Sequence, residues 1–260
     1  MKRISFIAAA LATVLFANAQ VLKTDFLKGY KVGDKVEKNT YQTPTDPINA
    51  DSWNGAFDQR RTADMPSPVV TGGLEYKGYP AEDMAVDLSK FPREIKGSMI
   101  CAYSLTDNKQ LYRKGSYYLA FLANIKGASG GFGELLGFDI SYVGNGGRGK
   151  LYVKRGDERG KFVVNVGARR AGENVQTPAF DFNKTHLFVL KMDFATKTVS
   201  VFIDPELSKT EPKPLLTVAQ QNDGEIRNAI RGIYLRHYRT IPAIVGSFRF
   251  ANTWAAAIGK

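Results

Sequence analysis

From Thr185 to Glu206 the chain reads THLFVLKMDFATKTVSVFIDPE, two alternating runs joined by a tight connection. In the first run Leu187, Val189 and Lys191 fall on one face, and Phe188, Leu190 and Met192 on the other. In the second, Val199, Val201 and Ile203 alternate with Thr198, Ser200 and Phe202. Period-two alternation in β-branched and aromatic residues is the pattern of a β-hairpin, not of a helix. No long stretch with helical periodicity stands elsewhere, so the expected class is all-β.

The chain opens with Met1, Lys2 and Arg3, an apolar run from Ile4 to Phe16, then Ala17-Asn18-Ala19. A basic start, a short apolar stretch and an A-x-A site predict a signal peptide over residues 1–19. The run is shorter than the roughly 20 residues that a bilayer-spanning helix needs. No later segment is apolar enough to cross, so the mature protein is expected in the periplasm, on the outer surface or outside the cell. Cleavage removes Lys2 and Arg3, leaving 34 basic against 25 acidic residues, a net +9. Such a surface attracts polyanions, although scattered basic residues also serve solubility. Cys101 is the single cysteine, which excludes an internal disulfide. It lies in an apolar run and reads as a small buried residue. Gln20, not cysteine, follows the cleavage site, so a lipid-anchored start is not indicated.

Residues 20–50 are polar and turn-rich, with TPTDP at Thr43–Pro47, and read as an N-terminal arm or leader strand. Residues 51–260 read as one domain. Strands are expected at 98–104 and 116–124, pairing with each other across a polar segment, and at 132–143, where Gly137 suggests a bulge. Residues 150–155 and 161–167 form a second hairpin around a glycine-containing turn. Residues 230–238 and 245–251 supply the closing strands. Short strands separated by Gly/Pro turns at near-regular spacing predict a two-sheet antiparallel β-sandwich or jelly roll.

Four segments carry a family resemblance. They are GGLEYKGYP (Gly72–Pro80), GKLYVKRGD (Gly149–Asp157), the Thr185–Glu206 hairpin, and GSFRFANTWAAAIG (Gly246–Gly259). In order and character they resemble bacterial LamG-like jelly rolls of the concanavalin A-like lectin/glucanase superfamily. The resemblance implies a concanavalin A-like sandwich over most of residues 72–259. It implies no activity, because the matching positions are scaffold and the fold hosts lectins, hydrolases, lyases and adhesion modules.

The chemistry of those enzymes is not visible. The E-x-D-x-x-E arrangement that places glucanase carboxylates on one strand face is absent. Glu134 and Asp139 fall on opposite faces unless Gly137 supplies a bulge. The R-x-E-x-R and Q-x-H lyase patterns are absent too. His186 and His237 stand apart from cysteines and acid clusters, giving no zinc pattern. No EF-hand loop occurs, so no cofactor is evident. Calcium held by backbone carbonyls would leave no side-chain signature and stays compatible with the sequence. The glycine-rich stretches at 127–131 and 144–147 lack a P-loop lysine and a following helix.

A binding face has more residue-level content. With Leu151 and Val153 inward, Lys150, Tyr152 and Lys154 point out. With Ile233 and Leu235 inward, Tyr234, Arg236 and Tyr238 point out. If both strands share a sheet, these six form a basic-aromatic groove, aromatic rings facing sugars and cations pairing carboxylate or sulfate. An ordinary half-solvated strand face has the same composition. Trp53 is a further candidate platform, for core or ligand, whereas Trp254 belongs to the closing motif and reads as core. The expected function is an exported, non-catalytic module binding carbohydrate or an acidic surface polymer. A structural or adhesive role towards protein and, more remotely, a polysaccharide-degrading site stay open. Export disfavours nucleic acid.

Overall fold

The computed structural model describes residues 20–37, 39–40, 50–55, 67–92, 94, 97–105, 112–139, 148–219 and 229–260. The expected signal peptide at 1–19, the Thr43–Pro47 turn and the glycine-rich stretch at 144–147 lie outside them.

In chain order the strands are β1 (Val21–Lys23), β2 (Asn39–Thr40), β3 (Ser52–Gly55), β4 (Val69–Gly72), β5 (Met84–Asp87), β6 (Met99–Ser104), β7 (Ser116–Ile125) and β8 (Gly133–Asp139). Then come β9 (Arg148–Arg155), β10 (Lys161–Gly167), β11 (Phe180–Asp181), β12 (Thr185–Asp193), β13 (Thr198–Ile203), β14 (Leu216–Ala219), β15 (Gly232–His237) and β16 (Ala243–Ala251). A single helical turn, α1 (Trp254–Ala257), follows. The strands form two sheets, a jelly-roll β-sandwich. The first runs β14-β13-β12-β7-β16-β5-β4, with β1 also on β16; the second runs β11-β10-β9-β8-β15-β6-β3-β2. Every pairing is antiparallel except the short β2/β3 contact.

Both expected hairpins form. β12 pairs β13 with Leu190 opposite Val201, and β9 pairs β10 with Tyr152 opposite Asn165. The expected pairing of 98–104 with 116–124 does not. β6 lies in the second sheet beside β15 and β3, and β7 lies in the first between β12 and β16. The two segments are consecutive in sequence but sit in opposite layers, a crossover that alternation alone does not reveal.

The core between the sheets is aromatic. Trp53, Phe248, Phe121, Phe188 and Phe162 form a chain of ring contacts at 6.2, 6.0, 5.3 and 6.5 Å. Trp53 is fully buried and its indole Nε1 donates to the Phe26 carbonyl at 2.9 Å. It is therefore a core residue and not a ligand platform, because its ring is consumed on both sides by packing. Phe26 and Leu27 lie in the same core, and β1 pairs β16. The start of the 20–50 segment is thus built into the sandwich. Cys101 is buried in this core, as expected, with its thiol 3.4 Å from a Glu37 oxygen.

The first sheet is covered on both faces. Phe188, Leu190 and Met192 point into the inter-sheet core. Leu187 and Val189 join Tyr79, Phe202, Trp254 and Ile258 in a separate outer cluster. Polar contacts hold the covering segments down. Tyr79 donates to the carbonyl of Ser247, a left-handed residue (φ 53) at the β16 bulge. Trp254 donates to the Ser208 carbonyl, and Lys191 and Tyr118 both donate to Glu211.

The two histidines are structural. His237 is buried edge-on against Phe91. His186 is 2% exposed, with Phe162, Phe180 and Phe188 around it, and its ring nitrogens meet Asp204 at 2.6 Å and the Asp181 carbonyl at 3.0 Å. Burial pushes the Asp204 carboxyl up, but hydrogen bonds from His186, the Leu187 amide and Tyr76 outweigh it and hold its pKa below the ordinary value. Burial, then the Asp204 charge, pushes the Tyr76 phenol up to about 12.

Two outcomes follow. Trp53→Ala should lower unfolding free energy by roughly 3–5 kcal/mol in urea titrations, the usual cost of emptying an aromatic core site. A carboxylate with a depressed folded pKa adds stability above the unfolded value of about 3.9, and that stability is lost as pH falls through the folded value. The stability gap between wild type and Asp204→Asn should therefore be widest at neutral pH and narrow in acid. A gap that is constant with pH would exclude Asp204 as a source of acid sensitivity.

Candidate binding face on the second sheet

Since the first sheet's outer face is occupied, the second sheet's outer face is where side chains are left to meet a ligand. β9 and β15 do share this sheet, with β8 between them. Ile233, Leu235, Leu151 and Val153 point into the core, and Tyr234, Lys150, Tyr152 and Lys154 alternate with them.

β8 is irregular. Its register against β9 shifts between Glu134 and Leu136 and again between Gly137 and Phe138. Leu135 and Leu136 both enter the core, so a bulge resets the alternation and leaves Glu134 and Gly137 outward. Gly137 lies between Lys150 on β9 and Tyr234 on β15. A Cβ there would stand 2.9 Å from the Tyr234 ring and hydroxyl, so glycine is what lets the ring lie across the strand.

Glu134 is the electrostatic centre of the face. Its Oε2 accepts from Lys150 Nζ at 2.7 Å, and its Oε1 lies 3.5 Å from an Arg236 guanidinium nitrogen. The Glu134 and Lys150 side chains are only 11% and 16% exposed, and Arg236 is 33% exposed. Arg236 Nε also donates to Ser98 Oγ at 3.0 Å. Lys154 Nζ sits 4.8 Å from the Phe132 ring centre, a cation–π contact.

The aromatic residues are less available than the alternation suggests. Tyr152 is buried, and its hydroxyl donates to the Arg169 carbonyl at 2.9 Å. Tyr234 is fully buried. Burial, then the nearby Glu134 charge, raises its pKa well above the ordinary value, so the phenol keeps its proton. The Tyr234 hydroxyl lies close enough to the Glu134 carboxylate for that contact to raise its pKa further, although among the described residues no acceptor meets full hydrogen-bonding geometry. Tyr238 leaves the row. β15 ends at His237, and Tyr238 packs against the inter-sheet core, where a Cβ on Gly133 would overlap its hydroxyl. Burial pushes its phenol up to about 12, with the Thr240 hydroxyl and the Arg236 charge pulling the other way. The expected groove of stacking platforms is thus corrected at Tyr234, Tyr238 and Trp53, whose rings are consumed by packing.

A flanking loop adds charge that alternation could not show. Asn165, fully buried on β10, donates to the Gly172 and Val175 carbonyls at 2.8 and 2.7 Å and accepts from the Gly172 amide. With Tyr152 it pins residues 168–177 beside the face, where Arg169 and Arg170 are exposed. A buried asparagine in a strand and a loop bracketed by Gly167 and Gly172 were the available signals.

Two cavities, of about 290 and 300 Å3, open elsewhere. One lies between Gln20, Tyr112, Tyr117 and Asn252; the other lies between Asp25, Leu27, Glu82 and Asp83. Among the described residues no group of three or more His, Cys, Asp or Glu side chains could hold a metal ion, and no helix is long and apolar enough to cross a membrane.

No family model matches the chain, and no curated protein matches its sequence. Solved structures do resemble it at low identity. A family 7 alginate lyase in complex with substrate is 10% identical, at TM-score 0.38 over 67% of this chain and 80% of its own. A Trypanosoma rangeli sialidase is 15% identical, at TM-score 0.43 over 79% of this chain and 31% of its own. Botulinum neurotoxin type C, whose cell entry is described as dependent upon interaction with two ganglioside molecules, is 12% identical, at TM-score 0.36 over 72% of this chain and 43% of its own. The chain therefore spans about a third of the sialidase and less than half of the neurotoxin.

An unpartnered buried hydroxyl is costly, at about 1–3 kcal/mol. Tyr234→Phe should accordingly be as stable as wild type or more so in chemical denaturation. A clear loss of stability would show that the hydroxyl is already bonded in the unliganded protein.

Proposed function

We propose that the mature chain is an exported, non-catalytic LamG-like jelly roll whose second sheet binds an acidic glycan or a similar anionic surface polymer through its outer face. The observation that carries this reading is the gathering of Lys150, Lys154 and Arg236 on one face, with Arg169 and Arg170 exposed on the loop pinned beside it. Against them stands Glu134, which is engaged by two of these cations and not poised as a free acid. Partly buried cations bind carboxylate or sulfate more strongly than exposed ones, since low local dielectric strengthens each contact. With the aromatic rings buried, charge supports the reading better than stacking does. The signal peptide at 1–19, residues 20–260 as one folded unit, and any calcium belong to the same proposal.

A glycan array probed with residues 20–260 at moderate salt, with and without calcium, tests it. Saturable binding to one acidic class that survives added salt is expected, and Lys150→Ala/Arg236→Ala should weaken it at least tenfold with the fold intact. Silence across the array, or attachment to every polyanion that vanishes with salt, would overturn it in favour of a structural or adhesive role towards protein.

A further inference from the structure

Resting on that reading of the face, we infer that Glu134 is a built-in surrogate for the ligand's acidic group and sets the protein's selectivity for it. Its carboxylate already occupies the position between Lys150 and Arg236 that an incoming carboxylate or sulfate would take, at 2.7 Å from one and 3.5 Å from the other. The bulge in β8 is what turns it outward, because Leu135 and Leu136 both face the core. The geometry is asymmetric. Lys150 is tightly held, whereas Arg236 meets Glu134 at the outer limit of an ion pair and is the more exposed of the two cations. An incoming anion therefore engages Arg236 first and competes for Lys150.

Beside this carboxylate lies the Tyr234 hydroxyl, fully buried and close to Glu134 but without an acceptor in full hydrogen-bonding geometry among the described residues. A donor held beside an ion pair but outside bonding geometry is completed when an acceptor oxygen shifts towards it. Movement of Glu134 off Lys150 supplies one such acceptor, and a ligand oxygen supplies another. Glu134 thereby keeps the cations paired when the face is empty, and it raises the threshold an anion has to overcome to bind. Weak or isolated acidic groups are rejected, and ligands with strong or closely repeated charges are accepted.

The test is titration calorimetry of residues 20–260 with oligogalacturonate (carboxylate), a heparin-derived oligosaccharide (sulfate), and fully methyl-esterified oligogalacturonate as the uncharged control. Glu134→Gln, which keeps shape and removes charge, should bind at least one acidic probe tenfold or more tightly than wild type. It should leave the esterified control unchanged. Glu134→Asp, which withdraws the carboxylate by one methylene, should shift affinity the same way by less, and serves if the Gln variant does not fold. Wild-type binding that is unchanged or weakened in the folded variants would overturn the surrogate role and leave the binding face standing. Equal tightening for the esterified control would also overturn it. No binding of either acidic probe by wild type or variants would overturn the binding face together with this inference.

Discussion

A sheet whose strands are apolar on both faces has to be covered twice, and the rest of this molecule is arranged around that requirement. β12 is the clearest case. Phe188, Leu190 and Met192 go to the inter-sheet core, while Leu187 and Val189 go outward to Tyr79, Trp254 and Ile258. The outer cover is assembled from three separated stretches of chain: the segment around Tyr76 and Tyr79, the Pro-rich stretch after Asp204, and the closing turn at Trp254. None is a strand of either sheet, and each is fastened by specific polar contacts, Tyr79 to Ser247, Tyr118 and Lys191 to Glu211, Trp254 to Ser208. With Asp204 binding His186, the Leu187 amide and Tyr76, the cover is tied to the strand it hides.

Covering one sheet on both sides decides where recognition has room to occur. The second sheet carries a different pattern, core residues alternating with small or charged ones: Ala102 and Gly137 flank Tyr234, and Lys150 lies beyond. Small neighbours let the Tyr234 ring lie across the strand, fully buried, so the face is not a row of upright rings. The physical reason is steric. Between two residues lacking large side chains, a tyrosine gains more contact by folding onto the strand than by standing into solvent.

Much of the fold was legible in the sequence because period two survives wherever strands are long. The hairpins at 150–167 and 185–203 and the inward sets on β9 and β15 follow directly from alternation. Alternation does not reveal that β6 and β7 stay unpaired, because adjacent strands usually pair and here the connection crosses layers. Trp53 could not be placed from sequence, since an isolated tryptophan looks the same as platform or as core; its neighbours Phe26 and Phe248 are far away in the chain. Tyr238 was assigned by extending alternation one residue past the end of β15. In sequence the acid nearest Glu134 on its strand is Asp139, whereas its partners, Lys150 and Arg236, come from two other strands brought alongside by the sheet. The bulge or close packing expected at Gly137 is present, as a register shift between Gly137 and Phe138 and the Tyr234 ring against it, whereas the irregularity that orients Glu134 lies at Leu135 and depends on which leucines the core can accept.

The charges around this face act over two ranges, and this separates attraction from selection. Arg169 and Arg170, exposed on the pinned loop, act through water and are screened beyond about 8–10 Å at ordinary ionic strength. They contribute to encounter rate more than to discrimination. Lys150 and Glu134, mostly shielded from solvent, interact in a medium where each contact is stronger and less sensitive to salt. A polymer that only neutralises the net charge of the surface meets the first group and is released by salt. One that reaches Lys150 has to replace Glu134's hydrogen bond with one of equal quality, since a partly buried cation left unpaired is costly. If the face binds an acidic polymer as proposed, the net basicity that is most visible in the composition is the less selective part of this surface, and the selective part is a single carboxylate turned outward by one extra residue in β8.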